Sequence, residues 1–329
     1  MLEPARIRAP ALPGLVWVNG SGPGRLADLT GAAVLLEFLE LTCLSCLRVL
    51  PYLRQWQASY GPYGLQVLGV HTPEFPFGHQ PEVVSLGAKR LGLRFPIAID
   101  HEQTVWTAYA VKAWPTSVLL DPAGYIRLSH TGEHDYAQVE AGIRELLSGR
   151  PGFPAEELAP VELAPEHEPG AVCYPVTPEI HAESLGNPTP DGDGRHQLPE
   201  ARSAGRYYLD GRWRVGDQVV VSTGADARLF VPYQAADVYA VLESQTADQT
   251  PIDVGLSQAG ASLPAGSLGG DVAQRQGRAV LRVDGPRLYH VAKHGSPAGG
   301  ELVLEPDRPG LAVYAFQFGS CLMPATPSG

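Results

Sequence analysis

The sequence has no basic cluster, no long apolar run and only four cysteines. Its formal net charge at pH 7 is -11, and it lacks the concentrated positive charge that attracts nucleic acid or an anionic membrane surface. The best apolar run, residues 32–41, is broken by Glu37 and Glu40 and is too short to span a membrane. The first residues lack the apolar stretch of a signal peptide. The chain as written is therefore expected to be cytoplasmic, and an extracytoplasmic location would require that a leader or a membrane domain had been removed.

Three regions of different composition follow one another along the 329 residues. Residues 1–150 alternate short β-branched or apolar runs with helical patterns, which is typical of an α/β domain. Residues 151–170 contain five prolines and five glutamates but no Lys or Arg, and predict a stiff, acidic, extended linker. Residues 171–329 contain short alternating runs separated by Gly, Pro and Asp, which predict an all-β sandwich of jelly-roll type.

The patterns also predict individual elements. In the first region they indicate strands over 15–18, 33–36, 65–70, 116–120 and 125–128, and helices from residue 43, over 81–91 and over 135–147. In the third region they indicate strands over 219–222, 228–231, 238–242, 252–256, 279–283, 288–292, 301–304 and 311–318.

A pair of cysteines, Cys43 and Cys46, begins the first predicted helix. At a helix N-terminus, unpaired amides and the positive end of the helix dipole stabilise the thiolate of the first cysteine. Two thiols one turn apart can form and break a disulfide quickly, and in an α/β domain this pattern indicates dithiol redox chemistry.

Three other interpretations of the pair are weaker. A zinc site needs two further ligands at short spacing, whereas Cys173 and Cys321 are far from the pair and from each other, so no metal is expected. A peroxidatic cysteine would have Thr three residues before it, where Cys43 has Glu40. A structural disulfide would close too small a loop to contribute much stability.

Several motifs around the pair match one family. They are Leu35-Leu36-Glu37-Phe38, Thr42-Cys43-Leu44-Ser45-Cys46, Leu50-Pro51-Tyr52-Leu53, Gly69-Val70-His71-Thr72-Pro73-Glu74-Phe75 and Trp114-Pro115-Thr116. With these motifs, residues 12–150 resemble a thioredoxin-fold domain of the TlpA/DipZ-like branch of thiol–disulfide oxidoreductases. The resemblance implies protein cysteines as substrates, and no cofactor is expected.

Four residues are predicted to be catalytic. Cys43, the more exposed thiol at the helix start, would attack, and Cys46 would resolve the mixed disulfide. Glu37 stands where the family usually has a buried Asp and would accept the Cys46 proton, unless it is a strand glutamate on the solvent face. The resemblance implies that the peptide bond before Pro115 is cis and that this proline stands opposite the disulfide.

Four more residues are expected at a substrate-docking surface beside this proline. The resemblance places Trp114 and Thr116 where an extended substrate segment would pair, although Trp114 could equally pack in the core. Thr42 stands where thioredoxin has Trp. His71 lies on the predicted rim, where it would either tune the thiol pKa or be a satisfied loop histidine. The residues between the cysteines differ from the Gly-Pro of thioredoxin, so the direction of redox action stays open.

The third region resembles the carbohydrate-binding-module-like β-sandwich of DipZ-like proteins. The matching pieces are Thr177-Pro178-Glu179, Gly211-Arg212-Trp213, Arg287-Leu288-Tyr289 and Val313-Tyr314-Ala315-Phe316. A glycan or protein ligand is therefore expected for this region, and Tyr207, Tyr208 and Trp213 would either stack on sugar rings or fill the sandwich. Cys173 and Cys321 bracket the region. They would form a structural disulfide in an oxidising compartment, or stay as buried free thiols in a cytosol.

The sequence thus predicts a thiol–disulfide oxidoreductase that acts on protein cysteines and exchanges electrons with a donor or acceptor that the sequence does not identify. One alternative is a binding protein whose β domain recognises a glycan or a protein and whose first domain is a redox-silent platform. Another is a cytosolic sensor whose dithiol reports oxidative stress without turnover.

Overall fold

A mixed six-stranded sheet lies in the first half of the chain and a large antiparallel sheet in the second half. The computed structural model describes residues 7–168, 171–188, 194–248, 250–319 and 321–322. The chain divides into two units, Met1–Leu163 and Ala164–Gly329. In the described part of the chain, none of the helices combines the length and the apolarity that a membrane crossing requires.

The first unit places helices against its mixed sheet. Its elements, in chain order, are β1 (Val16–Val18), β2 (Ala33–Leu39), α1 (Leu44–Tyr60), β3 (Leu65–His71), α2 (Pro81–Arg90), β4 (Ile97–Ile99), α3 (Thr104–Ala108), β5 (Thr116–Leu120), β6 (Ile126–Thr131) and α4 (Tyr136–Leu147). The strand order is β1-β4-β3-β2-β5-β6, in which β2, β3 and β4 are parallel.

Side chains alternate across β2 and divide the core of this unit into two clusters. Leu35 and Leu39 belong to the cluster formed with α1 and α4, whereas Leu36 and Phe38 belong to the cluster on the other face. Glu37 has the same parity as Leu35 and Leu39, so its side chain starts towards the face covered by α1 and α4.

The parallel strands bring their carboxyl ends to one edge of the sheet. Leu39 of β2 lies in register with His71 of β3, which lies in register with Ile99 of β4. α1 begins at this edge, with Cys43 as its N-cap residue. The predicted dithiol therefore sits where a buried strand ends and a helix with an open N-terminus starts.

The sequence patterns predict most of these elements but not β4 and α3. β4 has three residues and α3 has five, so neither is long enough to show a period. Asp100 supports the short helix, because its carboxylate accepts hydrogen bonds from the backbone amides of Thr104, Val105 and Trp106.

The predicted linker contains the boundary between the units, but its first part lies against the first unit. Phe153, Leu158, Val161 and Leu163 pack on the cluster that α1 and α4 cover. We call residues 153–163 the docked segment. The prediction of an extended linker followed from the prolines and glutamates of this stretch, whereas the apolar residues between them determine how it packs.

Two charged residues of α4 hold the backbone of the docked segment. The carboxylate of Glu140 accepts a hydrogen bond from the Val161 amide at 2.9 Å. The Arg144 guanidinium donates to the carbonyl oxygens of Ala155 and Leu158 at 2.5 and 2.8 Å. Charged donors and acceptors make these stronger than neutral hydrogen bonds.

The second unit contains antiparallel strands joined by turns. They are β7 (Val172–Cys173), β8 (Ile180–His181), β9 (Arg195–His196), β10 (Tyr208–Val215), β11 (Val220–Ser222), β12 (Arg228–Ser244), β13 (Ile252–Gln258), β14 (Ala261–Ser262), β15 (Val272–Arg275), β16 (Arg278–Val283), β17 (Arg287–Pro306), β18 (Leu311–Gly319) and β19 (Cys321–Leu322). Eleven of them form one sheet with the main order β15-β16-β13-β17-β12-β10-β11-β18-β8, and β12 also pairs with β18.

Two long strands, β12 and β17, each join two strands that the sequence predicts as separate. Their ladder has Ala235 opposite Ala298 and then Asp237 opposite Lys293, so residues 294–297 have no partner on β12. Pro297 lies in this bulge, where its missing N–H costs no ladder hydrogen bond. Gly295 and Pro297 therefore mark a bulge and not the end of a strand.

The predicted fold class, an α/β thioredoxin-like unit followed by an all-β unit, is confirmed. The core of the second unit draws apolar side chains from most strands of the large sheet. Tyr207, Tyr208 and Trp213 are all buried, so these aromatics fill the unit and do not present exposed faces to sugar rings.

Candidate redox site

Cys43 and Cys46 lie together at the start of α1 as free thiols. The Cys46 backbone amide donates to the Cys43 sulfur at 3.3 Å, and the Ser45 hydroxyl lies 3.1 Å from the same sulfur. Cys43 is 9% exposed and Cys46 is 1% exposed. Of the two sulfurs, Cys43 is therefore the one with the better access to a substrate and the one that faces the open end of the helix.

Cys46 is enclosed by the protein. Burial raises the pKa of the Cys46 thiol well above its ordinary value, and the hydrogen bond and charge of Cys43 and the charge of Glu40 act in the same direction. The backbone amide of Glu40 lies 3.5 Å from the Cys46 sulfur and partly opposes this shift. Cys46 is therefore held in its protonated form in the reduced protein.

The loop before β5 reaches the first turn of α1. The peptide bond between Trp114 and Pro115 is cis. The Ser45 hydroxyl donates to the Trp114 carbonyl oxygen at 3.5 Å, which places this loop beside the residues between the two cysteines. Trp114 is half-buried, and its ring contacts that of Trp106 with the centroids 4.9 Å apart.

Glu37 is fully buried in the middle of β2. One carboxyl oxygen accepts a hydrogen bond from the Ser117 hydroxyl at 2.6 Å, and the other has no hydrogen-bond partner among the described residues. Burial raises the pKa of Glu37 to about 8, although the hydrogen bond from Ser117 acts against this shift. The interpretation of Glu37 as a solvent-facing strand residue is therefore wrong.

The other predicted docking residues present little surface. Thr42, His71 and Thr116 are each no more than 3% exposed. The His71 ring nitrogen Nε2 is hydrogen-bonded to the carbonyl oxygen of Gly78 at 3.1 Å, and burial lowers the pKa of His71 to about 4. His71 is therefore neutral near pH 7, and its Nδ1 atom has no hydrogen-bond partner among the described residues, so the interpretation as a satisfied histidine holds for only one of its two nitrogens.

Glu40 is a site residue whose role the sequence does not indicate. Its side chain is buried, and its carboxylate accepts hydrogen bonds from both the amide and the hydroxyl of Thr42. The available signal was a charged residue interrupting an apolar run just before the cysteines. A buried carboxylate at such a place has a partner or a function.

The cysteines of the second unit differ from the dithiol. Cys173 is exposed and disulfide-bonded, so the interpretation as a buried free thiol is wrong for it. β7 and β19 pair so that Cys321 lies directly opposite Cys173. Directly opposed residues of an antiparallel pair have the Cα separation that a disulfide needs.

Each of the two units matches a known protein family profile. The AhpC/TSA family profile matches residues 12–129, and a profile described as "Thioredoxin like C-terminal domain" matches residues 180–319. Protein DipZ of Mycobacterium tuberculosis is 31% identical over 320 residues, which cover 94% of this chain and 43% of DipZ. The chain thus spans less than half the length of that relative.

Two further similarities concern the first unit. Thiol-disulfide oxidoreductase ResA of Geobacillus kaustophilus is 32% identical over 123 residues, which cover 37% of this chain and 67% of ResA. The crystal structure of a thiol-disulfide isomerase from Corynebacterium glutamicum is 27% identical, with a TM-score of 0.39, over 43% of this chain and 97% of the isomerase. This chain belongs to the thioredoxin-fold thiol–disulfide oxidoreductases, and its similarity to DipZ extends over both units.

Proposed function

We propose that this protein exchanges disulfides with the cysteines of protein substrates through Cys43 and Cys46. The observation that carries the proposal is the pair of free thiols at the N-terminus of α1, of which Cys43 is 9% exposed and Cys46 is almost completely buried. The buried thiol is held protonated, so the two sulfurs are prepared for different steps.

In the reducing direction, Cys43 attacks first. Its sulfur forms a bond to one sulfur of the substrate disulfide, and the substrate S–S bond breaks as the other sulfur leaves. The Cys46 amide and the helix N-terminus stabilise the negative charge that the attacking sulfur carries. Cys46 then loses its proton and attacks Cys43, which forms the internal disulfide and releases the second substrate thiol. The oxidising direction is the same sequence in reverse.

Glu37 would take the Cys46 proton during this second step. A carboxyl group with a pKa of about 8 exchanges its proton readily near neutral pH, which is the condition for a general base. Its parity on β2 directs it towards the face that α1 covers. The substrate chain would run along the Trp114–Pro115 loop, which Ser45 ties to the first turn of α1.

A redox titration of the full chain tests the proposal. The protein is equilibrated in defined thiol/disulfide buffers, alkylated, and read by peptide mass spectrometry for each cysteine separately. Reversible two-electron oxidation of the Cys43–Cys46 pair, lost in Cys43→Ser, is the expected result. A pair that does not cycle would leave the first unit as a redox-silent platform and favour the binding protein.

The second unit has its own candidate surface for recognising a partner or a glycan. A cavity of about 380 Å³ opens on the large sheet, and Arg228, Phe230, Arg278 and Glu305 are among its lining residues. Charged groups beside an aromatic ring suit a polar ligand. Loss of substrate-protein binding in Arg278→Ala, with peptide turnover unchanged, would support this role, whereas unchanged binding would contradict it.

The disulfide at Cys173 favours an extracytoplasmic location over the cytoplasmic one expected from the sequence. Disulfides persist in oxidising compartments and are rare where glutathione and thioredoxin keep thiols reduced. The redox state of Cys173 in fractionated cells of the source organism tests this. A reduced Cys173 in freshly quenched cells would contradict the extracytoplasmic location and support the cytoplasmic one.

A further inference from the structure

Glu40 makes contacts on both sides of the turn that leads into the dithiol. Its carbonyl oxygen accepts a hydrogen bond from the Cys43 amide at 3.3 Å, and its own amide lies 3.5 Å from the Cys46 sulfur. Its carboxylate accepts two hydrogen bonds from Thr42, each of 2.5 Å. One residue is thus connected to Cys46 and to Thr42 and Cys43, the two residues that precede α1.

The Glu40 carboxylate is buried, which strengthens its electrostatic interaction with the dithiol. The side chain is 1% exposed, so water screens its interaction with the dithiol far less than it would at the surface. The charge of Glu40 raises the pKa of the Cys46 thiol, but this effect is smaller than those of burial and Cys43, and smaller than that of the Glu40 amide, whose hydrogen bond lowers the pKa.

We propose that Glu40 is a positioning residue of the dithiol, which fixes the turn before α1 through Thr42 and holds Cys46 as a thiol until Cys43 has reacted. The inference rests on the proposed function and deepens it, because it assigns the order in which the two sulfurs react to a particular carboxylate. Glu40 itself need not touch the substrate.

The consequence for the reaction concerns the resolving step. While both thiols are reduced, the negative charge of Glu40 opposes a second negative charge on Cys46. When Cys43 has formed the mixed disulfide, Cys46 attacks its sulfur, a new S–S bond forms, and the bond from Cys43 to the substrate breaks. The Cys46 proton passes to Glu37 and from there to the departing substrate sulfur, so the negative charge on Cys46 is transient.

The test measures the ionisation of each thiol in the full chain. Reduced wild type, Glu40→Gln and Glu40→Asp are alkylated over a range of pH, and peptide mass spectrometry gives separate rates for Cys43 and Cys46. Glu40→Gln keeps an oxygen that can accept from Thr42 but removes the charge. We expect its Cys46 midpoint to fall, so that Cys46 is alkylated severalfold faster below the midpoint. Glu40→Asp keeps the charge and should retain most of the wild-type midpoint.

Matched measurements separate this role from a structural one. Glu82→Gln removes an exposed carboxylate of α2 and should leave the Cys46 midpoint unchanged. An unchanged midpoint in folded Glu40→Gln, or an equal shift in Glu82→Gln, overturns the proposal. If Glu40→Gln does not fold, carboxyl-carbon NMR of the wild type replaces it. A glutamate signal other than that of Glu37 that responds at the Cys46 midpoint supports the role, and its absence overturns it.

Turnover of a disulfide peptide, measured in parallel, distinguishes the two proposals. A wild type that does not turn over refutes the oxidoreductase function whatever the midpoints are. A wild type that turns over while Glu40→Gln shows the wild-type midpoint refutes only the role of Glu40.

Discussion

The two cysteine-bearing regions of the molecule use the same chemistry for opposite purposes. Cys43 and Cys46 are free, lie within one helical turn and differ in exposure, and burial raises the pKa of the Cys46 thiol. Cys173 is exposed and disulfide-bonded in a two-stranded ladder that pairs its strand with the last described one. A bond within one turn constrains little chain and can be exchanged, whereas a bond that closes a long loop constrains the unfolded chain much more. The position of a cysteine in the fold, and not its chemistry, decides its role.

Replacing the thiols of the first region should have the largest effect. Cys43→Ser should lower turnover of a disulfide peptide by roughly a thousandfold or more, because it removes the attacking sulfur. Cys46→Ser should instead accumulate a mixed disulfide on Cys43, seen as added mass under non-reducing conditions. Cys173→Ser is the matched control and should turn over normally. A Cys43→Ser variant with normal turnover would contradict the assignment.

Replacing the cysteine of the second region should affect stability. If Cys173 is bonded to Cys321, Cys173→Ser should lower the free energy of unfolding of the second unit by about 5 kcal/mol, because a long loop is no longer closed in the unfolded chain. Trp213, which lies in that unit, gives a fluorescence signal for its urea transition. Peptide mapping that finds Cys173 bonded elsewhere, or an unshifted Trp213 transition, would contradict the pairing.

The buried carboxyl group of the first unit should give a pH-dependent effect. The pKa of Glu37 is about 8 in the folded protein and 4.5 for an ordinary glutamate. Because the folded pKa is raised, the protonated carboxyl supports the fold below about pH 4.5, and this support is lost as the pH rises towards 8. Glu37→Gln should therefore raise the free energy of unfolding by about 3 kcal/mol at pH 7 and change it little at pH 4. Urea unfolding at the two pH values measures this, and equal changes at both would contradict it.

Releasing the docked segment should have the smallest effect. Arg144→Ala removes the donor to the carbonyls of Ala155 and Leu158 and should destabilise this segment by about 1–3 kcal/mol. Hydrogen exchange at the Val161 amide should become faster. Arg127→Ala removes a half-exposed arginine that pairs across about 3.6 Å with an exposed Glu145 and should change neither quantity measurably. Equal exchange rates in the two variants would show that the apolar contacts alone hold the segment.

The sequence predicts the dithiol and its setting well because their signals are local. The apolar run of β2, the helical stripe of α1 and the CxxC spacing can each be identified within a short window. The fold class follows from the same periodicities. Elements of three to five residues, such as β4 and α3, carry no period and depend on their tertiary contacts.

Features that arise from long-range contacts could not be predicted in this way. The docked segment is rich in proline and glutamate, a composition typical of an extended linker. In the structure it packs on the apolar cluster that α1 and α4 cover, and Glu140 and Arg144 of α4 bind its backbone. The bulge at residues 294–297 contains a proline and glycine that in isolation indicate a turn. In each case the neighbours that give the residue its meaning come from elsewhere in the chain.

If the proposed function is correct, the disulfide at the exposed Cys173 makes every copy of this protein a candidate substrate for every other copy. A dithiol that reduces exposed disulfides will encounter this one at the concentration of the protein itself. The second unit survives such encounters only if its bond has a lower reduction potential than the dithiol, as bonds that stabilise a fold generally do. The reduction potential of the Cys173 disulfide therefore sets a lower limit for that of the dithiol. Reduction of Cys173 in a concentrated, substrate-free sample would show that the dithiol is the stronger reductant of the two.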